Sequence, residues 1–365
     1  MSLKKDNFNN FDKKIMRFAI NLAKKNIGLT GTNPSVGCVI VKNKKILSYG
    51  TTNIKGVPHA ETIALKKNKK NNSGSTIYVT LEPCSHYGKT PPCTNAIARS
   101  KIKKVYFSIN DLDKRVLNKS KKKLNKKKIL VKKGLLSIET KKLYKNYNFI
   151  KKNNFPYIVG KIACSSNFYI LKNKEFITNE HSRNVSQLLR YRNQAILTSY
   201  KTVNSDNPLL NCRLNGLEKF SPIRLIIDKD LKINILSNII KTSKKYKTFI
   251  FHNSNNLKKI KKLKFNGVNL VKQDNLSGEY FDLNKLFKKI YEIGIYYVLV
   301  ECGANLTNKI LKSRLFNEFY LFKSDKKIIN SEKISIANIN RNLKLFKNKL
   351  KVKTFLDKDS LTQYY

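Results

Sequence analysis

His59-Ala60-Glu61, followed by Thr80-Leu81-Glu82-Pro83-Cys84-Ser85-His86-Tyr87-Gly88-Lys89-Thr90-Pro91-Pro92-Cys93, is the stretch on which the reading of this 365-residue chain turns. One imidazole and two thiols form a soft donor set suited to a tetrahedral zinc with one open position. A carboxylate just beyond the histidine can work on the water that fills that position. Any one of these residues alone reads as a satisfied core histidine or a buried thiol. Together they read as a hydrolytic metal site, with His59, Cys84 and Cys93 as ligands and Glu61 as the proton carrier.

The surrounding sequence puts these residues at strand ends. Thr76–Leu81 is rich in β-branched and aromatic residues and is stopped by Pro83, which leaves Cys84 at a strand-to-helix junction before a helix at Thr94–Arg99. Upstream, Phe11, Ile15, Phe18, Ala19 and Leu22 fall at helical spacing, and Gly31-Thr32-Asn33-Pro34 ends that helix. Val36–Val41 and Ile46–Tyr49 then read as strands joined through Asn43, and His59 and Glu61 open a short helix through Leu65. Further strands at Val105–Ser108 and Ile129–Val131 complete an α/β alternation of the three-layer kind.

Lys151-Lys152-Asn153-Asn154 is a polar break, which divides the chain into domains 1–150 and 151–365. After it the alternation restarts with a strand at Ile158–Ala163. Helices follow at Arg183–Arg190 and Asp282–Ile293, and strands at Ala195–Thr198, Ile223–Ile227, Thr248–His252 and Val298–Glu301. A polar loop is expected after the strand at Ala195, and the strands beyond Lys323 have no clear pattern.

The formal charge of +52 invites a polyanion partner, because clustered lysines release counterions from phosphate backbones. Here the lysines recur along nearly the whole chain, which points to solvated faces. Six cysteines are spread over both halves and two are claimed by the metal motif, which fits a reducing cytoplasm. Cys38, Cys164, Cys212 and Cys302 read as small buried hydrophobes, and His181 and His252 as surface or strand-end residues. The apolar runs are far shorter than a membrane span, so no membrane partner is expected.

The spacing H-x-E followed by P-C marks zinc deaminases, but here the second cysteine is displaced to Cys93 by a long loop. With Asn33-Pro34-Ser35-Val36-Gly37-Cys38-Val39-Ile40-Val41 upstream, the stretch resembles the deaminase half of the bifunctional riboflavin-biosynthesis deaminase/reductase family. Ala195–Val203, Asp206-Asn207-Pro208-Leu209-Leu210-Asn211-Cys212-Arg213, Arg224–Asp228 and Val300-Glu301-Cys302-Gly303-Ala304-Asn305-Leu306 resemble its reductase half in order and spacing.

The resemblance implies a cytidine-deaminase-like three-layer α/β/α domain followed by a dihydrofolate-reductase-like α/β domain. It implies zinc-dependent deamination of a diaminopyrimidinone carrying ribose 5-phosphate, and then NADPH-dependent reduction of the ribosyl to a ribityl chain. In the first half it assigns Asn33, His86, Lys89 and Asp111 to the substrate. In the second it assigns Arg190, Leu210, Arg213 and Glu301 to the substrate, with the two arginines clamping its phosphate. The cofactor falls to Ala163, Phe176, Thr202, Asp206, Gly303, Ala304, Asn305 and Leu306.

The sequence also departs from the family. Thr52 stands in place of a histidine and Asp113 of an asparagine, Ser165-Ser166-Asn167-Phe168 replaces Ser-Leu-Asp-Gly, and Phe176 replaces a tryptophan. Phe168 and Phe176 motivate a second reading, a deaminase whose reductase-like half no longer binds cofactor. The charge motivates a third, a base deaminase acting on RNA, against which the long Cys84–Cys93 loop argues. The partner implied first is thus a small phosphorylated pyrimidine rather than a nucleic acid, and a homo-oligomer stays open.

Overall fold

Cys38 and Ile40 pack to one side of a strand, Val39 and Val41 to the other, and all four are buried. A strand covered on both faces reads as an unbroken apolar run, which is why this segment stands out in the sequence. The computed structural model describes residues 8–113, 115–171, 176–274, 276–277, 280–329 and 333–365. They fall into two compact units, one ending at Asn154 and the other Phe155–Tyr365.

The first unit runs α1 (Asn10–Lys24), β1 (Gly37–Lys42), β2 (Lys45–Thr51), α2 (Ala60–Lys67), β3 (Thr76–Leu81), α3 (Cys93–Arg99), β4 (Lys104–Ile109), α4 (Lys119–Asn125), β5 (Leu130–Lys133), α5 (Ser137–Leu143) and α6 (Lys145–Asn153). Its sheet has the order β2-β1-β3-β4-β5. β1 is antiparallel to both neighbours, and β3, β4 and β5 are parallel. Ile15, Met16 and Ala19 of α1 pack on Val39, Val41, Tyr78 and Tyr106. Ala60, Ala64 and Leu65 of α2 and Ile97 of α3 pack on the opposite face against Ile40, Ile77, Val79 and Phe107. Helices on both faces give three layers. Gly50 lets α2 lie against β2, because a Cβ there would run into the carbonyl oxygen of Ala60.

The second unit runs β6 (Tyr157–Cys164), β7 (Tyr169–Leu171), α7 (Glu180–Tyr191), β8 (Ala195–Ser199), α8 (Tyr200–Asp206), β9 (Ile223–Ile227), α9 (Asn238–Lys241), β10 (Thr248–His252), α10 (Leu257–Phe265) and β11 (Asn269–Lys272). It continues through β12 (Leu276–Ser277), β13 (Tyr280–Phe281), α11 (Leu283–Glu292), β14 (Tyr297–Val300), α12 (Ala304–Lys312), β15 (Glu318–Lys323), β16 (Lys333–Ser335), α13 (Ala337–Asn342), β17 (Lys349–Lys351) and β18 (Ser360–Tyr364). The main sheet has nine strands in the order β11-β10-β9-β8-β14-β6-β15-β18-β17. It is parallel from β11 to β15, and the last two strands join antiparallel. The carboxyl ends of β6, β8 and β14, three adjacent strands, therefore open on the same edge, where doubly wound sheets bind ligands.

One expectation is corrected. The polar segment after β8 is not a loop but α8, because Ser199 caps it by accepting from the Thr202 N–H at 3.4 Å and Asn207 closes it with φ 46°. His252 ends its strand, one of the two positions expected for it, and is buried there, 4% exposed. The segment beyond Lys323 holds β16, α13, β17 and β18, whose pairing is long-range: Phe319 faces Tyr364 across β15 and β18. Cys38, Cys164, Cys212 and Cys302 are all buried. No helix among the described residues is long and apolar enough to cross a membrane.

Candidate active sites

His59 is the N-cap of α2 in extended conformation, and its ring makes no capping bond, so the imidazole is free to face the loop after β3. Its Nδ1 lies 3.5 Å from Cys84 Sγ and 3.3 Å from Cys93 Sγ. Donors at normal zinc bond lengths in a tetrahedron stand roughly 3.5–3.8 Å apart, so one nitrogen and two sulfurs here fit that ion and leave a fourth position open. Among the described residues these three form the one cluster of this kind, with ligand atoms all within 4.8 Å of one another. Cys93 opens α3, where its N–H donates to Cys84 Sγ at 3.2 Å, and the Thr94 N–H donates to the Cys84 carbonyl at 3.1 Å.

The electrostatics suit the assignment. The hydrogen bond from Cys93 holds the Cys84 thiol well below its ordinary value, and the same bond together with burial pushes Cys93 up. Cys84 also raises His59. Glu61, in the first turn of α2, is 4% exposed. Burial, and after it the Cys84 charge, push its carboxyl up to about 7, where it can both take and give a proton.

The other predicted residues of this unit are placed as follows. Asn33 donates from Nδ2 to the Gly56 carbonyl at 2.9 Å, so part of its amide braces a turn. His86 is half-buried, and its buried Nδ1 has no partner. Lys89 is exposed. Asp111 is buried and accepts from Tyr147 Oη and from the Asp113 N–H, each at 3.0 Å, with burial raising its carboxyl. Thr52 is built into the fold, its Oγ accepting from the Val36 N–H at 2.9 Å. Asp113 pairs with Arg115 at 2.6 Å, which with Lys151 holds it down.

In the second unit Glu301 and Gly303 directly follow β14, Thr202 lies in α8 just after β8, and Ala163 is next to the last residue of β6. Glu301 accepts from Arg190 Nε at 3.0 Å and Nη2 at 2.9 Å. The remaining guanidinium nitrogen of Arg190 donates to the Asn211 carbonyl at 3.2 Å. Arg190, expected at the substrate phosphate, is thus paired with a carboxylate through two of its nitrogens. Burial raises the Glu301 carboxyl, but Arg190 and Lys161 outweigh it and hold it at about 2. The guanidinium of Arg213 is exposed and has no hydrogen bond among the described residues. Leu210, just upstream, is buried with φ 49°.

Gly303 caps α12 without any side-chain bond, and among the described residues no side chain accepts from the N–H groups of Ala304, Asn305 and Leu306. A Cβ at Gly303 would have only Thr202 Oγ1 near it, at 3.8 Å. This uncapped terminus is what a cofactor phosphate requires. Asp206 is exposed at the end of α8, Ala163 is half-buried near the end of β6, and Phe176 is 68% exposed with the Arg183 guanidinium 4.5 Å from its ring centre. Phe168 keeps a left-handed backbone, φ 60°, although the glycine suited to it is gone.

Sequence reasoning missed Lys161, whose ammonium lies 3.9 Å from Glu301 with both side chains largely buried. The signal was available, since a lysine inside the apolar strand Tyr157–Cys164 needs a partner.

Residues 9–109 match the family of the cytidine and deoxycytidylate deaminase zinc-binding region, and residues 170–324 match the RibD C-terminal domain. The riboflavin biosynthesis protein RibD of Aquifex aeolicus is 34% identical over 90% of each chain, and that of Actinobacillus pleuropneumoniae 33% identical over 97% of this chain and 95% of its own. Two solved structures are similar over 97% of this chain and 98% of theirs. Acinetobacter baumannii RibD has a TM-score of 0.83 at 27% identity, and a Thermotoga maritima diaminohydroxyphosphoribosylaminopyrimidine deaminase/5-amino-6-(5-phosphoribosylamino)uracil reductase has 0.81 at 28%.

Proposed function

The chain belongs to the RibD family of riboflavin biosynthesis proteins, and from that premise we propose how its residues divide the family's deamination and reduction between them. The enzyme is a deaminase and a reductase that uses zinc and NADPH. Its substrate is a small phosphorylated pyrimidine, which we take to be the diaminopyrimidinone ribose 5-phosphate and then its deaminated product. We place the enzyme in the cytoplasm.

In the first unit, His59, Cys84 and Cys93 would hold the zinc, which supplies Lewis acidity and draws the pKa of a water toward neutrality. Glu61, poised at about 7, takes a proton from the attacking water and returns it to the departing amine, so that ammonia leaves uncharged. His86, with an unpartnered buried nitrogen, and Lys89 orient the ring and phosphate, and Asn33 and Asp111 close the pocket.

In the second unit NADPH, when bound, would supply a hydride for C1′ of the ribosyl group, the bond from C1′ to the ring oxygen breaking as that oxygen takes up a proton to give the ribityl chain. Gly303, Ala304, Asn305 and Leu306 at the α12 terminus would hold its phosphate groups, and Thr202, Asp206, Ala163 and Phe176 would complete its binding. Arg213 meets the substrate phosphate, Leu210 packs on the base, and Arg190 holds Glu301 ionised and aimed toward the sugar.

The observation that carries this reading is the convergence of three soft donors beside a buried, raised carboxyl. Purified, zinc-loaded protein given the diaminopyrimidinone phosphate should release one ammonia and then oxidise one NADPH per turnover. Zinc-loaded protein that releases no ammonia overturns the first half, and no NADPH oxidation on the deaminated substrate overturns the second. An RNA deaminase is disfavoured by family membership over nearly the whole chain.

A further inference from the structure

The lysine excess has no common purpose on this surface, but one lysine of the densest tract does something its neighbours do not. Lys123 of α4 donates from Nζ to the carbonyl oxygen of Ser85, the residue directly after the ligand Cys84. Lys121, Lys122, Lys126, Lys127 and Lys128 make no side-chain hydrogen bond or ion pair among the described residues.

On the other side of Cys84 stands Glu82, 3% exposed. It accepts from the Asn118 N–H at 3.1 Å, and from the N–H and Oγ of Ser120 at 3.2 and 2.8 Å. Its own N–H continues the ladder to the Ile109 carbonyl at 2.9 Å. The chain is therefore tied to the start of α4 by the Glu82 side chain two residues before the ligand and to its middle by the Ser85 carbonyl directly after it, and Leu124, 1% exposed in the core, fixes that helix to the sheet. The side chains of the loop add little hold of their own, since Ser85 Oγ and Thr94 Oγ1 are buried without partners.

We propose that α4 is a brace for the metal loop: Lys123 and Glu82 are positioning residues that fix the backbone on either side of Cys84 and so set how slowly the site releases zinc. The inference rests on the zinc reading above. Groups outside the ligand shell that orient ligands change metal affinity by roughly 10–100-fold when removed.

The test uses the full chain loaded with zinc and a chromogenic zinc chelator in excess, following the rate of metal release. Lys123→Met should release zinc on the order of 10-fold faster, and Lys123→Arg, which keeps a donor of similar reach, should restore much of the retention. Lys122→Met and Lys126→Met remove the same charge from the same tract and should release at the parent rate. In cobalt-loaded protein, Lys123→Met should shift the thiolate charge-transfer bands, which a mere loss of helix stability would not do. Where Lys123→Met does not fold, Glu82→Gln carries the same expectation of faster release. Parent-like release from Lys123→Met, or equal acceleration by Lys122→Met, overturns the brace while leaving the zinc site standing. Failure of the parent protein to bind zinc overturns both.

Discussion

The two sites of this chain are built in opposite ways. The proposed deaminase site draws its ligands from two short segments, His59–Glu61 and Cys84–Cys93, and each is a residue type whose chemistry announces itself. The proposed reductase site is dispersed over the ends of three parallel strands that are neighbours in the sheet and far apart in sequence, and it includes an ion cluster in which Lys161 and Arg190 both pair with Glu301. A metal site needs a fixed number of donors at fixed distances, so it tolerates little drift. A cofactor groove made largely of backbone N–H groups and a strand edge constrains shape more than residue type.

The sharpest way to break the comparison is to disable one site alone. Glu61→Gln keeps the size and removes the proton carrier, so ammonia release should fall by about 10²–10⁴-fold. Zinc content and NADPH oxidation on the deaminated substrate should hold at parent values. Metal analysis and the two separate assays check this. Loss of reduction in the same variant would show that the sites do not work independently.

A smaller effect is expected from opening the ion cluster. Arg190→Ala leaves the buried Glu301 carboxylate with Lys161 as its remaining cation, so the cost should fall below the about 3–5 kcal/mol of a buried charge left with no partner. Its melting temperature should fall steeply near neutral pH. The folded-state value of Glu301, about 2, lies below its ordinary 4.5. The stability it contributes is therefore fully present above about 4.5 and is lost as the pH falls toward 2. The gap between parent and variant should narrow over that window in calorimetric scans, and a gap that stays constant would remove Glu301 as its source.

How much of each site was legible follows from the same contrast. The strands of the first unit could be read because β1 and β3 are buried on both faces and stopped by turn residues. The ligands could be read because histidine, cysteine and glutamate seldom share such a short stretch by chance. In the second unit Arg190 and Glu301 were found as residues but not as partners, since 111 positions separate them and only the adjacency of β8 and β14 brings their neighbourhoods together. β17 and β18 were illegible for a related reason. The burial of β18 is confined to Leu361, and its identity as a strand comes from pairing with β15. α8 was hidden because its capping serine and polar residues favour a turn as readily as a helix.

The finest test of the second unit lies at Phe168, where two small effects compete. A non-glycine residue in the left-handed region costs about 1–2 kcal/mol, and this one sits there with φ 60°. The fold keeps it because the ring packs against the core of the second unit and lies beneath the Lys323 ammonium at 4.5 Å, while its carbonyl accepts from the Ile336 N–H at 2.9 Å. Phe168→Gly relieves the backbone but loses the ring and adds roughly 0.5–1 kcal/mol of unfolded-state entropy, so the melting temperature should move by no more than a few degrees. Phe168→Ala loses the ring and keeps the strain, so it should be less stable than Phe168→Gly by about 1 kcal/mol. Equal melting temperatures for the two variants would mean that the turn is not strained at this residue. Weaker NADPH binding in Phe168→Gly than in the parent would show that the ring contributes to holding the cofactor.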